Sequence, residues 1–195
     1  MKELCNNLTK KLSFLWWVRK IPYLCGLKRA HMGKLELIME TEKVSMYSPK
    51  FDGEANNEFE KFLLANRSQT HPQLKKFFDA ILSVIEKMGE TGAYERYFRP
   101  EGGNIKAVPT YIDIPKMNKK IGKMRLYCLR LSEQILILGG GAVTISQRYE
   151  DDPVLLTIIG ELHDIEVHIK RLVKQADTDF EDFDALKRII ETITL

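Results

Sequence analysis

The chain has 195 residues, 44% of them hydrophobic and 29% charged, the proportions of a soluble globular protein with room for one domain and a core of its own. Its three cysteines, Cys5, Cys25 and Cys128, form no C-x-x-C pair and no metal-ligand spacing. That argues against a disulfide framework and fits reduced thiols in a cytoplasm. The net charge of +3 conceals an asymmetry: residues 1–31 carry seven Lys/Arg and one acid, whereas residues 150–195 carry five Lys/Arg and twelve acids. A polyanion would be met by the middle of the chain and repelled by its tail.

Residues 1–31 stand apart. The apolar run Leu12–Val18 is cut off by Arg19 and Lys20 before it reaches the length of a membrane span, and no small-residue cleavage site follows. The segment is either a basic N-terminal extension or an upstream translation of a chain starting at Met32. From Lys34 the pattern becomes regular. Leu35, Leu37 and Met39 alternate with charged residues, and Val44, Met46 and Tyr47 continue, which predicts one or two early strands. A turn at Ser48–Gly53 precedes a helix over about Asn56–Ala65. Pro72 then suits the first turn of a second helix, whose apolar positions run from Leu74 to Met88 and which ends at Gly89 or Gly92. A Gly-Gly turn follows Tyr94–Pro100, and Val108–Ile114 reads as a strand.

The densest pattern is Lys123–Arg130. Met124, Leu126 and Cys128 alternate with Arg125, Tyr127 and Leu129, which predicts a strand with one core face and one face carrying Arg125 and Tyr127. Leu131–Gln134 is a turn and Ile135–Leu138 a strand. Gly139–Gly141 reads as a second hairpin turn, after which Val143 and Ile145 take the core parity and Thr144, Ser146 and Arg148 the opposite one. Asp152 before Pro153 is an N-cap signature opening a long helix with Leu155, Ile158, Leu162, Ile165, Ile169 and Leu172 on one stripe. A last helix carries Phe183, Leu186, Ile190 and Ile193. The order predicts α+β: a small antiparallel-rich sheet packed against a helical hairpin over residues 32–150, and an acidic C-terminal helical pair over residues 151–195.

Phosphate-loop, serine-hydrolase and zinc-protease signatures are absent, and His163 and His168 are five apart on the long helix, on different faces. No metal or cofactor is expected. What remains is a cationic sheet face. Arginine holds phosphate bidentately and stays protonated when partly desolvated, and arginine, lysine and tyrosine together can orient a ribose 2′-OH, balance phosphorane charge and move a proton. The bland alternative pairs Arg125 and Arg148 with Glu95, Glu133 or Glu150 as ordinary strand residues.

Three stretches carry a resemblance. Lys123-Met124-Arg125-Leu126-Tyr127-Cys128-Leu129, Glu133–Gly139 and Tyr97-Phe98-Arg99-Pro100, in this order after a helical pair, resemble the RelE/HigB/ParE superfamily of type II toxin–antitoxin toxins, over about residues 34–149. The resemblance implies a RelE-like fold and a metal-independent, ribosome-associated mRNA endoribonuclease acting by 2′-OH attack, with a cognate antitoxin as partner and no membrane association. It assigns the scissile phosphate to Arg125, assistance to Arg148, and proton transfer or stacking to Tyr149. RNA binding falls to Lys123, Tyr127, Arg99, Lys119 and Lys120. The chain departs from the family in Gly141–Gln147, which lacks the usual Lys/Arg-rich run, and in its long acidic tail. The alternative is a non-catalytic protein-interaction module on the same scaffold, with the acidic helical pair covering the basic sheet face.

Overall fold

The computed structural model describes residues 33–110, 114, 117–145 and 152–195; the basic segment 1–31, Arg148 and Tyr149 lie outside the described residues. The first strands are β1 (Gly33–Glu40) and β2 (Ser45–Phe51), an antiparallel pair. Thr41 closes their turn: its hydroxyl accepts from the N–H groups of Lys43 and Val44 at 3.1 Å each and donates to the Gly89 carbonyl at 2.8 Å. Next comes α1 (Glu58–Asn66), opened by a capping box in which Asn57 accepts from the Glu60 N–H at 2.9 Å and Glu60 accepts from the Asn57 N–H at 3.2 Å. In α2 (Pro72–Thr91) the proline takes the first helical position, where its missing N–H costs nothing. A short 3-10 turn at Glu95–Tyr97 leads into β3 (Arg99–Gly102), β4 (Ile105–Val108), β5 (Lys123–Arg130) and β6 (Ile135–Thr144). The chain closes with α3 (Pro153–Gln175) and α4 (Phe183–Thr192), capped by Asp152 and Asp182.

The strands form one mixed sheet in the order β1-β2-β6-β5-β4-β3, in which β2 and β6 run parallel and all other neighbours antiparallel. The coarse α+β class expected from the sequence is observed. Helices cover both faces. On one side Phe62, Phe78, Ile81 and Ile85 from α1 and α2 pack with Met124, Leu126, Cys128, Leu136 and Leu138. On the other, Leu155, Ile158, Leu162, Ile165 and Ile169 from α3 and Leu186 and Ile190 from α4 pack with Tyr47, Ala107, Tyr127, Leu129 and Ile137. At roughly 1.5–3 kcal/mol for each fully buried aliphatic side chain, this contact outweighs exposed ion pairs, each worth about 0–1 kcal/mol. The C-terminal helices are therefore held on the sheet by apolar packing, and most of the tail's acids face outward. Among the described residues, no helix is long and apolar enough to cross a membrane.

Four expectations need correction. After Gly139–Gly141, Thr144 is buried and Ile145 is 68% exposed, the reverse of the expected parity. The strand expected at Val108–Ile114 ends at Val108, since Pro109 cannot donate to a ladder, and residues 111–113 lie outside the described residues. Gly139–Gly141 is not a turn but the middle of β6. The reversal is at Ser132–Gln134, where the Ser132 hydroxyl accepts from the N–H groups of Gln134 and Ile135 at 3.2 and 3.1 Å. The glycines are there because helices press on the strand: a Cβ on Gly139 would lie 3.0 Å from Leu162 Cδ2, and one on Gly141 2.5 Å from Phe62 Cε2. Finally, the Arg125–Tyr127 parity of β5 is not a solvent face. Tyr127 is fully buried in the same core as Leu155, Ile158 and Leu162.

Candidate functional site

One end of the β5–β6 pair stays open. Gly122, at φ +84°, swings the chain from the preceding loop into β5, and any Cβ there would meet the Thr144 carbonyl oxygen at 2.6 Å. Lys123 then pairs in register with Thr144, and Arg125 with Ala142. The loop before Gly122 is fixed from below by the buried side chain of Gln73 in the first turn of α2. Its Nε2 donates to the carbonyls of Asn118 and Gly122 at 3.1 and 2.8 Å, and its Oε1 accepts from the Asn118 N–H at 2.8 Å. Lys119 and Lys120 therefore ride on a loop with a defined path.

Around this end lies a cleft of about 320 Å³. Arg99, Lys119, Lys123 and Arg125 line it, with Met117, Thr144 and the exposed Ile145 at its apolar parts. Four of the residues singled out from the sequence thus meet at one place, although Arg99 is 20 residues or more from the others along the chain. Lys120 is exposed on the same loop but does not line the cleft.

A carboxylate that the sequence did not single out sits among the cations. The Glu101 side chain is 8% exposed, and its Oε1 lies 3.3 Å from Arg99 Nε and accepts from Arg125 Nη1 at 3.3 Å. Arg125 is 11% exposed and points into the protein, while Arg99 is 42% exposed at the mouth. Glu95 and Glu133, the expected partners of Arg125, bind elsewhere. At the far end of β5, Glu95 pairs with Lys106 at 2.7 Å and with Arg130 at 3.6 Å, and Glu133 with Arg130 at 3.7 Å. That end has as many acids as bases in contact. Among the described residues, four cations line the cleft and one carboxylate touches two of them, a positive excess suited to an anion.

Tyr127 does not join the site as a stacking surface. Its ring is buried and its hydroxyl has no hydrogen-bond partner. Burial raises its pKa; Arg125 nearby opposes the rise and Glu101 adds to it. A buried phenol held protonated can neither stack a base nor take a proton at neutral pH. Cys128 is likewise a core residue, its thiol pushed up by burial. Arg148 and Tyr149 lie outside the described residues. His163 and His168 stand on α3 away from the cleft, the first 3.8 Å from Glu166 and the second beside Arg171 at 3.0 Å.

Compared with protein-family models, curated proteins and solved structures, the chain matches none. What the site can do is read from its own chemistry. Two guanidinium groups in reach of one oxygen position, with two exposed ammonium groups beside them, have the chemistry that suits an anionic oxygen.

Proposed function

We propose that the chain is a toxin-fold protein of the RelE/HigB/ParE type whose cleft grips the phosphates of mRNA on the ribosome, with a cognate antitoxin as its protein partner. The observation that carries this reading is the convergence of Arg99, Lys119, Lys123 and Arg125 on one cleft. The order of elements runs from strands β1 and β2 through helices α1 and α2 to strands β3, β4, β5 and β6. In this reading Arg125 holds the scissile phosphate and Arg99, Lys119 and Lys123 hold its neighbours. The ribose 2′-oxygen attacks phosphorus, the bond to the 5′-oxygen breaks, and a 2′,3′-cyclic phosphate remains. Tyr149 takes the 2′-OH proton as its phenolate, Arg148 shares the phosphorane charge, and solvent returns a proton to the leaving 5′-oxygen.

Inducible expression beside an Arg125→Ala control tests the proposal. Slowed growth and cleavage of ribosome-bound message by the wild type alone are the expected results. If the wild type does neither, the nuclease reading fails. A second reading, a non-catalytic module that binds its partner through the same cleft, draws support from Glu101, which already occupies both arginines. It expects RNA or acidic-peptide binding without cleavage.

A further inference from the structure

Glu101 makes the cleft different from an open cationic pocket. A single carboxylate oxygen, Oε1, is shared by Arg99 Nε and Arg125 Nη1 at 3.3 Å each. An oxygen of a bound phosphate would be drawn to the same place, because carboxylates and phosphates make the same charge-assisted contacts with guanidinium groups. We propose that Glu101 is a built-in competitor: it fills the position between the two arginines in the free protein, and a ligand phosphate enters by displacing it. This rests on the phosphate reading of the cleft and adds to it a residue that sets how tightly phosphate is held.

Two features of the chain suit Glu101 to that role. It lies on β3, a four-residue strand at the edge of the sheet, where the β3–β4 register shifts between Pro100 and Gly102. Glu101 itself is therefore outside the regular pairing and can swing without breaking the ladder. Gly102 follows at φ +131° with open space around its Cβ position, so the backbone next to Glu101 is also free to adjust. The exposed Lys119 and Lys123 meanwhile remain available to a ligand that has not yet reached the arginines. A polyanion that also engages those lysines has further contacts to offset the displacement, so it binds at lower concentration than a single small anion. Displacing Glu101 costs each phosphate ligand the same, so it lowers the affinity for a nucleic-acid strand and for inorganic phosphate by one common factor.

The test is equilibrium binding of a fluorescein-labelled 12-mer of 2′-O-methyl uridine, which lacks the attacking hydroxyl, by the full chain at fixed ionic strength. Glu101→Gln is compared with wild type and with Glu95→Gln, an exposed acid at the far end of β5 that reports the general effect of removing one negative charge. Losing a charge-assisted competitor should tighten RNA binding about tenfold or more, and it should raise the affinity for inorganic phosphate by a similar factor. Glu95→Gln should change RNA binding less than about twofold, its charge being screened over that distance. Melting curves check that each variant folds, and if Glu101→Gln does not, Glu101→Asp keeps the charge while shortening its reach and should give a smaller gain. RNA binding by the wild type that is unchanged or weakened in the Glu101 variants makes Glu101 a brace for the arginines and overturns the competitor role, leaving the phosphate reading intact. No binding by wild type or any Glu101 variant overturns both.

Discussion

Alanine at Gly141 tests how β6 is held between the helices. The new Cβ would sit 2.5 Å from Phe62 Cε2 and 2.7 Å from the Arg125 carbonyl oxygen. Neither neighbour yields easily. The carbonyl belongs to the adjacent strand, and the Phe62 ring is 3% exposed, with the Phe59 and Phe78 rings 6.5 and 5.8 Å away. Overpacking of this kind costs about 1–3 kcal/mol. At roughly 2–4 °C per kcal/mol for a chain of this size, the melting temperature should fall by about 2–12 °C. Gly160 supplies the contrast: it is exposed in α3 with nothing within 4 Å of its Cβ position, so Gly160→Ala should stabilise by about 0.5–1 kcal/mol through helix propensity alone. Thermal melting by circular dichroism reads both variants. Phe62→Leu, which should cost stability by itself, should recover part of the loss when combined with Gly141→Ala. A Gly141→Ala protein melting at or above the wild-type temperature would refute the clamped strand.

Other variants probe the residues around the cleft. Tyr127→Phe removes a buried hydroxyl that has no partner, so stability should hold or rise by up to about 1 kcal/mol and RNA affinity should stay within about twofold; a large loss of affinity would restore Tyr127 to the binding surface. Gln73→Leu leaves the Asn118 N–H and the Gly122 carbonyl without their side-chain partner, costing about 1–3 kcal/mol and loosening the loop of Lys119 and Lys120, which limited proteolysis would show as faster cutting near residue 119. Cys128, buried and with its thiol raised, should resist a thiol reagent at pH 8 in the folded protein and react on denaturation, as peptide mass spectrometry can follow; rapid labelling under native conditions contradicts its core placement.

How much of this was legible in the sequence depends on the range of the interactions. Helices α2 and α3 announced themselves locally, through Pro72 and through Asp152 before Pro153, and the apolar stripes of α2, α3 and α4 follow 3.6-residue spacing. The start of α1 was also available: Asn57 with Glu60 three residues on is a capping box, a signal that would have fixed the helix start at Glu58. The alternation in Lys123–Arg130 marks β5 as a strand but does not reveal what covers its second face. A tyrosine beside an arginine suggests solvent, and nothing local tells that α3 returns to cover that side. The three glycines misled for the same reason. Only the approach of Leu162 and Phe62, from helices distant in sequence, explains why they lie within a strand. Of the four cleft cations, Lys119 and Lys123 stand out as a basic loop and Arg125 by its place in a strand, whereas Arg99 enters only through the family resemblance. Glu101 was overlooked inside an Arg-Pro-Glu-Gly-Gly stretch that looks like a turn, and Gln73 gave no signal, because its three hydrogen bonds all reach a loop some 45 residues away.

The most direct measurement of the cleft's role is the salt dependence of RNA binding. Affinity for the 2′-O-methyl uridine 12-mer is measured from about 50 to 300 mM KCl for wild type, Lys119→Ala, Lys123→Ala and Arg125→Ala, with the exposed Lys87→Ala on α2 as the distant control. Each cation that neutralises a phosphate should contribute about 0.7 to the slope of log affinity against log salt. The three cleft variants should therefore bind more weakly with slopes shallower by about that amount, and Lys87→Ala should follow the wild type. Cleft variants whose affinities and slopes coincide with the wild type would mean that RNA, if bound at all, is bound elsewhere.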